Sequence, residues 1–179
     1  MTQIANAYAR GLYDLAKDEA LTETILEQMQ TLQVAFDGEP RFYRLLSTPN
    51  LTKEERLSVL DSSFRDKVHP YVLNFLKILT ERGHAAHFSN CCKAYRNYYN
   101  EDHGILPVRA VTAVALTSTQ AEKLTAKLNT ITGKTVELTN KVDPACLGGV
   151  RLDYDGKQVD GTVKNRLEGM AALLKNTVI

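Results

Sequence analysis

The sequence contains no tryptophan and only three cysteines in 179 residues. Cys91, Cys92 and Cys146 are an odd number, too sparse for a disulfide framework, and adjacent cysteines seldom bond each other without strain, so reduced thiols are expected. Charge of one sign is also missing. Lys and Arg total 22 against 21 Asp and Glu, a formal net charge of +1, with no run of like charges. That excludes the electrostatic footprint of a nucleic-acid binder and the polybasic anchor of a membrane-surface protein. No apolar run approaches the roughly 20 residues that a membrane-spanning helix needs. Met1-Thr2-Gln3-Ile4 offers neither the basic region and apolar core of a secretion signal nor an Arg-rich transit segment, and the chain is expected to be made and kept in a bacterial-type cytoplasm. What is present, 44% hydrophobic and 24% charged residues, is the composition of an ordinary globular protein.

The hydrophobic period changes near residue 105 and divides the sequence into two expected domains, 1–104 and 105–179. The first half has helical spacing: Ile4 to Lys17, then Leu21 to Phe36 with Ile25, Met29, Leu32 and Phe36 in register. A short helix after Pro40 carries Phe42, Leu45 and Leu46 to a break at Pro49. Thr52-Lys53-Glu54-Glu55 is a capping box opening a fourth, with Leu57 and Leu60. His69-Pro70 starts a fifth, which runs through Tyr71, Phe75 and Ile78 to a stop at Gly83, and a sixth spans Ala85 to Tyr99. Six short helices with short links predict an antiparallel bundle. The second half is mixed. Val108, Ala110, Thr112 and Val114 share one side of a strand; Thr117 and Gln120 cap a helix through Leu124, Leu128 and Ile131 to Gly133; Thr135 to Val142 alternates as a strand with one wet face. Val150, Leu152 and Tyr154 alternate again before the turn signal Asp155-Gly156 and Lys157 to Asp160, and a last helix aligns Val163, Leu167, Met170 and Leu174. The fold class expected is α+β: a six-helix bundle followed by a small α/β domain. With 12 basic against 14 acidic residues before Ile105 and 10 against 7 after it, the halves carry −2 and +3, and neither identifies a charged partner.

Groups that perform chemistry are few. There is no glycine-rich loop running into Lys-Ser or Lys-Thr and no spaced glycine triplet opening a helix, so the chain is not expected to bind ATP by itself, or any cofactor. Gly148-Gly149, between Leu147 and Val150 at the start of a strand, reads as a bulge or a close backbone approach. His84, His87 and Cys91 share a helical face at metal-ligand spacing, but a closed zinc site needs about four ligands and no second pair accompanies them; apolar packing is the better reading of Cys91-Cys92 beside Tyr95. No glycine-flanked serine resembles a nucleophile elbow. Glu54-Glu55 and Asp18-Glu19 are adjacent rather than facing, unlike the carboxylate pairs of hydrolases. No catalytic residue is expected.

The oddity is apolar excess on two helices. In the first, only Asn6, Arg10, Asp14 and Lys17 form a polar line, while Ile4, Ala5, Ala7, Tyr8, Ala9, Leu12, Tyr13, Leu15 and Ala16 cover the rest. In the fifth, Asn74, Lys77 and Thr80 stand against seven apolar residues. Either one of these helices is central and simply core, or the pair leaves an apolar groove for an amphipathic helix of a partner. Gly11, which costs about 1 kcal/mol relative to Ala inside a helix, fits the close approach of another helix.

Three blocks of residues carry a family likeness: Tyr8-Ala9-Arg10-Gly11-Leu12-Tyr13 with Ala16; Asn74 to Leu79 followed by Glu81-Arg82-Gly83-His84; and Val142-Asp143-Pro144-Ala145-Cys146-Leu147-Gly148-Gly149-Val150-Arg151, then Val159-Asp160-Gly161-Thr162-Val163-Lys164 and Arg166-Leu167. In order and over nearly the whole length, the sequence resembles the delta subunit of bacterial rotary ATP synthases, counterpart of the mitochondrial oligomycin-sensitivity-conferring protein. It departs from that pattern at His84, where arginine is expected, and is shortened between the glycine pair and Val-Asp-Gly. The resemblance implies a non-catalytic stator subunit, peripheral on the cytoplasmic side of the bacterial plasma membrane, in a hetero-oligomer. It implies that the alpha subunit's N-terminal helix fills a groove containing Tyr8, Gly11, Leu15, Asn74 and Ile78. The b subunit of the peripheral stalk would contact the C-terminal domain, where Gly149 occupies a motif position. A generic helical adaptor would share the apolar pair of helices but needs no C-terminal glycine block.

Overall fold

A computed structural model describes residues 3–39, 41, 51–163, 165 and 167. Over these residues the chain is α+β, with six α-helices and one four-stranded sheet. Chain contacts divide it into two compact units, Met1–Asp102 and His103–Ile179.

The first unit contains α1 (Gln3–Asp18), α2 (Thr22–Gly38), α3 (Lys53–Phe64), α4 (Pro70–Glu81), a 3₁₀ turn (Ala85–His87) and α5 (Phe88–Asp102). The helix expected after Pro40 lies outside the described residues. Helix α1 turns Ala5, Ala9, Leu12, Tyr13 and Ala16 inward. Three alanines on that face hold the backbone close to α5, whose Cys91, Cys92, Ala94 and Tyr95 are buried in turn. At the far end of this contact the Tyr13 ring meets the Tyr95 ring edge-on at 5.2 Å. Tyr13 Oη donates to Asp102 Oδ2 at 3.0 Å and Lys17 Nζ lies 2.6 Å from Asp102 Oδ1. Tyr95 Oη donates to the Thr22 carbonyl at 3.1 Å, which ties α5 to the start of α2. Ile25, Met29, Leu32 and Phe36 of α2 then complete the core, with Phe36 against Phe88 at 5.2 Å and Phe75 joining from α4.

The helix ends are set by local chemistry. Thr52 Oγ1 accepts from Glu55 N while Thr52 N donates to Glu55 Oε2 at 2.8 Å, the reciprocal capping box. His69 caps α4 through Nδ1, and Pro70 takes the first helical position, where its missing N–H costs nothing. That helix closes with Gly83 at φ 71°, Gly83 N donating to Thr80 O and His84 N to Leu79 O, the paired bonds of a Schellman stop. This stop delays the next helix: the segment expected to be helical from Ala85 begins as a 3₁₀ turn, and α5 starts at Phe88. All three cysteines are free thiols and buried; burial pushes the Cys91 thiol up to about 11 and the Cys92 thiol further, which keeps both in the unreactive protonated form.

The second unit is built on β1 (Ile105–Thr112), α6 (Ser118–Thr132), β2 (Thr135–Val142), a 3₁₀ turn (Pro144–Cys146), β3 (Val150–Tyr154) and β4 (Lys157–Asp160), with sheet order β2-β1-β3-β4. β1 and β2 pair in parallel with Leu106 opposite Val136 and Val108 opposite Leu138, and α6 makes the crossover. β1–β3 and β3–β4 are antiparallel, the latter joined at Asp155-Gly156, both at positive φ as a tight hairpin requires. Leu106, Val108 and Val136 form the core of this unit, with Leu128, Leu138, Leu152 and Tyr154 packed on it. Three expectations change. Val114 is outside β1 and exposed, because Thr112 Oγ1 donates to the Val114 carbonyl and bends the chain there. Ile131 on α6 and Val142 at the end of β2 are exposed instead of packed. Val163 and Leu167 at the start of the expected last helix are exposed, while Met170 and Leu174 lie outside the described residues.

Burial first, and then the bond to Asp102, raise the Tyr13 phenol from its ordinary 10 to about 12. The fold therefore favours the neutral ring, and this contribution to stability is complete below pH 10 and lost as the pH climbs toward 12. Denaturant midpoints of the helical unit should fall across that window and fall less in Tyr13→Phe; circular dichroism melts, with tyrosinate absorbance as the ionisation readout, check this. Equal midpoints on both sides of the window in the wild type would refute it.

Candidate functional site: an apolar groove between two helices

Helix α1 has two apolar faces, and only one of them is used by the core. About a quarter turn round from the buried alanines, Ile4 and Leu15 stand 42% and 41% exposed, and Ile78 of α4 stands 38% exposed. Leu15 and Ile78 border one cleft, of about 280 Å³, whose walls are Tyr8, Gly11, Leu12 and Leu15 on α1 and Tyr71, Asn74, Phe75 and Ile78 on α4, with Ala7 beside them. The two walls have the same spacing. Each presents residues i, i+3, i+4 and i+7, the row that two turns of helix place on one side, so each wall is about 10 Å long.

Gly11 lies midway along the α1 wall, and a β-carbon built there would meet no atom within 4 Å. No other element among the described residues comes within that distance of that carbon. Among the described residues the glycine leaves open space in the cleft. Tyr8 is held at the end of the cleft by His84, ring edge to ring face at 5.8 Å. The His84 Nδ1 is buried without a hydrogen-bond partner among the described residues.

Charges beside the cleft are already engaged. Arg10 pairs with Asp14, Lys77 with Asp61 at 2.7 Å, and Glu81 with Lys53. Other depressions are of a different character. The one on α3 is lined by Glu54, Asp61, Arg65 and Asp66 with two serines, and the one on the sheet by Arg109, Asp153, Asp155 and Lys157. Asp153 there is held below the usual carboxylate range by hydrogen bonds from Gln158 and Arg151.

The structure thus brings together Tyr8, Gly11, Leu15, Asn74 and Ile78 and adds Ala7, Leu12, Tyr71 and Phe75, which sequence reasoning had not placed in the site. Tyr71 and Phe75 complete the same row as Asn74 and Ile78, so helical spacing held the signal; it did not say which apolar residues face inward. His84 and His87 have ring centroids 5.9 Å apart, and among the described residues no group of three or more His, Cys, Asp and Glu is assembled as metal ligands.

Gly149 lies elsewhere, in the second unit. Its φ is +80°, and a β-carbon there would fall 2.5 Å from the Gly161 carbonyl oxygen and 3.0 Å from the Thr162 Cα. The glycine pair and the Val-Asp-Gly segment cross at this point, and Gly161 N donates to Val150 O at 3.1 Å across it.

Comparison with known proteins draws the two units together. The model of the family described as "ATP synthase delta (OSCP) subunit" matches residues 4–174. The chain belongs to this family. Among its relatives, the ATP synthase subunit delta of Alkaliphilus oremlandii (strain OhILAs) is 31% identical, with 98% of each chain covered. That of Lacticaseibacillus casei (strain BL23) is 33% identical over 96% of this chain and 94% of the relative. A chain in the cryo-EM structure of the Toxoplasma gondii mitochondrial ATP synthase hexamer has the same fold, with a TM-score of 0.76 at 19% identity over 97% and 98% of the two chains. As a delta (OSCP) subunit the protein is a non-catalytic component of ATP synthase, in its peripheral stalk. A match extending through the C-terminal glycine block is more than a generic helical adaptor requires. The complex is membrane-associated; no helix among the described residues is long and apolar enough to cross a membrane.

Gly149→Ala should destabilise the second unit by about 2 kcal/mol or more, because the added carbon meets backbone at an already left-handed residue. Hydrogen exchange should show lost protection in the β1–β3 ladder and intact protection in α1 and α5. Unchanged protection in β3 would refute the close approach.

Proposed function

We propose that the cleft between α1 and α4 receives the N-terminal helix of the ATP synthase alpha subunit and that the C-terminal domain contacts the b subunit, so that the chain fixes the catalytic head to the peripheral stalk. The observation that carries this is the matched pair of walls, each with rows at i, i+3, i+4 and i+7 and with open space at Gly11. Two such rows are what an amphipathic helix fills, laying its own apolar stripe between them. In this reading Tyr8, Gly11, Leu15, Asn74 and Ile78 are partner-binding residues. Residues 1–104 form a six-helix domain that binds the head, its third helix read from sequence, and residues 105–179 form the stalk-binding domain. Gly149 serves the second contact by shaping the loop that meets b. The protein sits peripherally on the cytoplasmic side of the bacterial plasma membrane.

The mechanism is mechanical. A stator has to stay attached while the rotor exerts torque on the head. Burial of an apolar face contributes about 25 cal/mol per Å² before the costs of association. With head and stalk contacts on one chain, release of either leaves the other to hold it near its site, the effective-concentration gain of a linked pair.

Gly11 gives a selective test, because it lines the cleft and a β-carbon there meets no atom of the described residues within 4 Å. Calorimetric titration of the full chain with a synthetic peptide copying the N-terminal helix of the same organism's alpha subunit should show one-to-one binding with a negative heat-capacity change. Gly11→Leu should weaken that binding at least about ten-fold, while thermal stability stays equal or rises because a helix-interior glycine is removed. Equal affinity in a folded Gly11→Leu protein would take the peptide out of this cleft.

A further inference from the structure

We infer that Asn74 sets the register of the docked helix by hydrogen bonding to a polar side chain carried within that helix's otherwise apolar stripe. The inference rests on the groove reading and adds a requirement on the partner. Among the described residues Asn74 is the one fully polar side chain lining the cleft, and it sits between Tyr71 and Ile78, midway along the α4 wall. Its amide makes no hydrogen bond within the chain among the described residues, and the side chain is exposed to water. The charges nearest to it in sequence on α4, Lys77 and Glu81, are committed to Asp61 and Lys53 and are not available as partners.

In the free protein water satisfies this amide. A helix lying in the cleft removes the water, and an amide left without a partner in an apolar contact opposes binding. The backbone of the docked helix is saturated by its own i to i−4 bonds, so the replacement has to come from a side chain. An amide has both donors and an acceptor, and Ser, Thr, Asn or Gln can meet it without burying a charge. Because apolar contacts alone allow a helix to slide by a turn, one obligatory polar pair in the middle of the groove selects a single register, as a lone buried Asn does in a coiled coil.

The test is a double-mutant cycle between the full chain and the alpha-helix peptide, read by calorimetry. Asn74→Ala should weaken the native peptide on the order of ten-fold, the range for one unsatisfied buried polar group. Replacing by alanine each polar residue of the peptide's docked stripe in turn should find one whose loss costs a similar factor with wild-type protein and nothing further with Asn74→Ala. Pairing Asn74→Leu with leucine at that peptide position should restore affinity. Asn74 is exposed, so the variants are expected to fold, and thermal melts verify it. Native peptide binding Asn74→Ala or Asn74→Leu as tightly as wild type, or a peptide stripe with no polar residue coupled to Asn74, overturns the inference. Gly11→Leu run beside them separates the two ideas: weakened by Gly11→Leu but indifferent to Asn74, the groove stands and the register pair falls, whereas indifference to both removes the groove itself.

Discussion

The contact of α1 with α5 is the constraint on which the helical unit depends. Ala5, Ala9 and Ala16 give α1 a thin inner face, so that its backbone lies close against α5, with the Tyr13 ring on Tyr95. Leu12 and Tyr13 supply the bulk, and the Asp102 carboxylate fastens the end through Tyr13 and Lys17. Such packing is short-range and intolerant of added volume, because an interior at crystal-like density has no room for another methylene. Its consequence appears on the neighbouring face of the same helix. Satisfied inward by small residues, α1 is left with Tyr8, Leu15 and the open space at Gly11 facing outward beside α4. The groove is therefore what remains when a helix that is apolar nearly all round has a core on only one side.

The two units obtain their order differently. The helical unit has one continuous core reaching from α1 to α5, with aromatic rings of α2, α4 and α5 meeting near its centre. Among the described residues the sheet unit has a small buried cluster of Leu106, Val108 and Val136, with Ala110, Val111 and Cys146 also buried. Its remaining specification is in the backbone: the parallel register of β1 with β2, the hairpin at Asp155-Gly156, and the crossing of Gly149 with Gly161. That crossing accounts for why two separated glycine motifs belong together. Each is required by the nearness of the other rather than by its own turn alone.

Much of this was legible from residue order because the signals were local. Capping boxes at Thr52 and Thr117, the stops at Gly83 and Gly133, and the Asp-Gly turn each specify their own few residues, and the structure forms them all. The change of period near residue 105 and the alternation of β2 are likewise properties of contiguous chain. Val114, Ile131 and Val142 were misread for the opposite reason: alternation or helical spacing says that a residue is on a face, not that the face is covered at that point. The later start of α5 followed from a Schellman stop whose second bond reaches past the glycine to His84.

By itself the sequence determined the element types, the two-part organisation, the family, and the fact that α1 and α4 carry more apolar surface than a bundle can bury. It could not determine which of those apolar residues face the core and which face out, since Leu12 and Leu15, or Phe75 and Ile78, are chemically alike. The tertiary structure decided that by placing α5 against the alanine face of α1, which buries Leu12 at the base of the cleft and leaves Leu15 exposed along it. It decided likewise that Gly11 opens onto empty space while Gly149 lies against backbone. Only the position of atoms distant in sequence distinguishes a glycine that leaves room from one that has none.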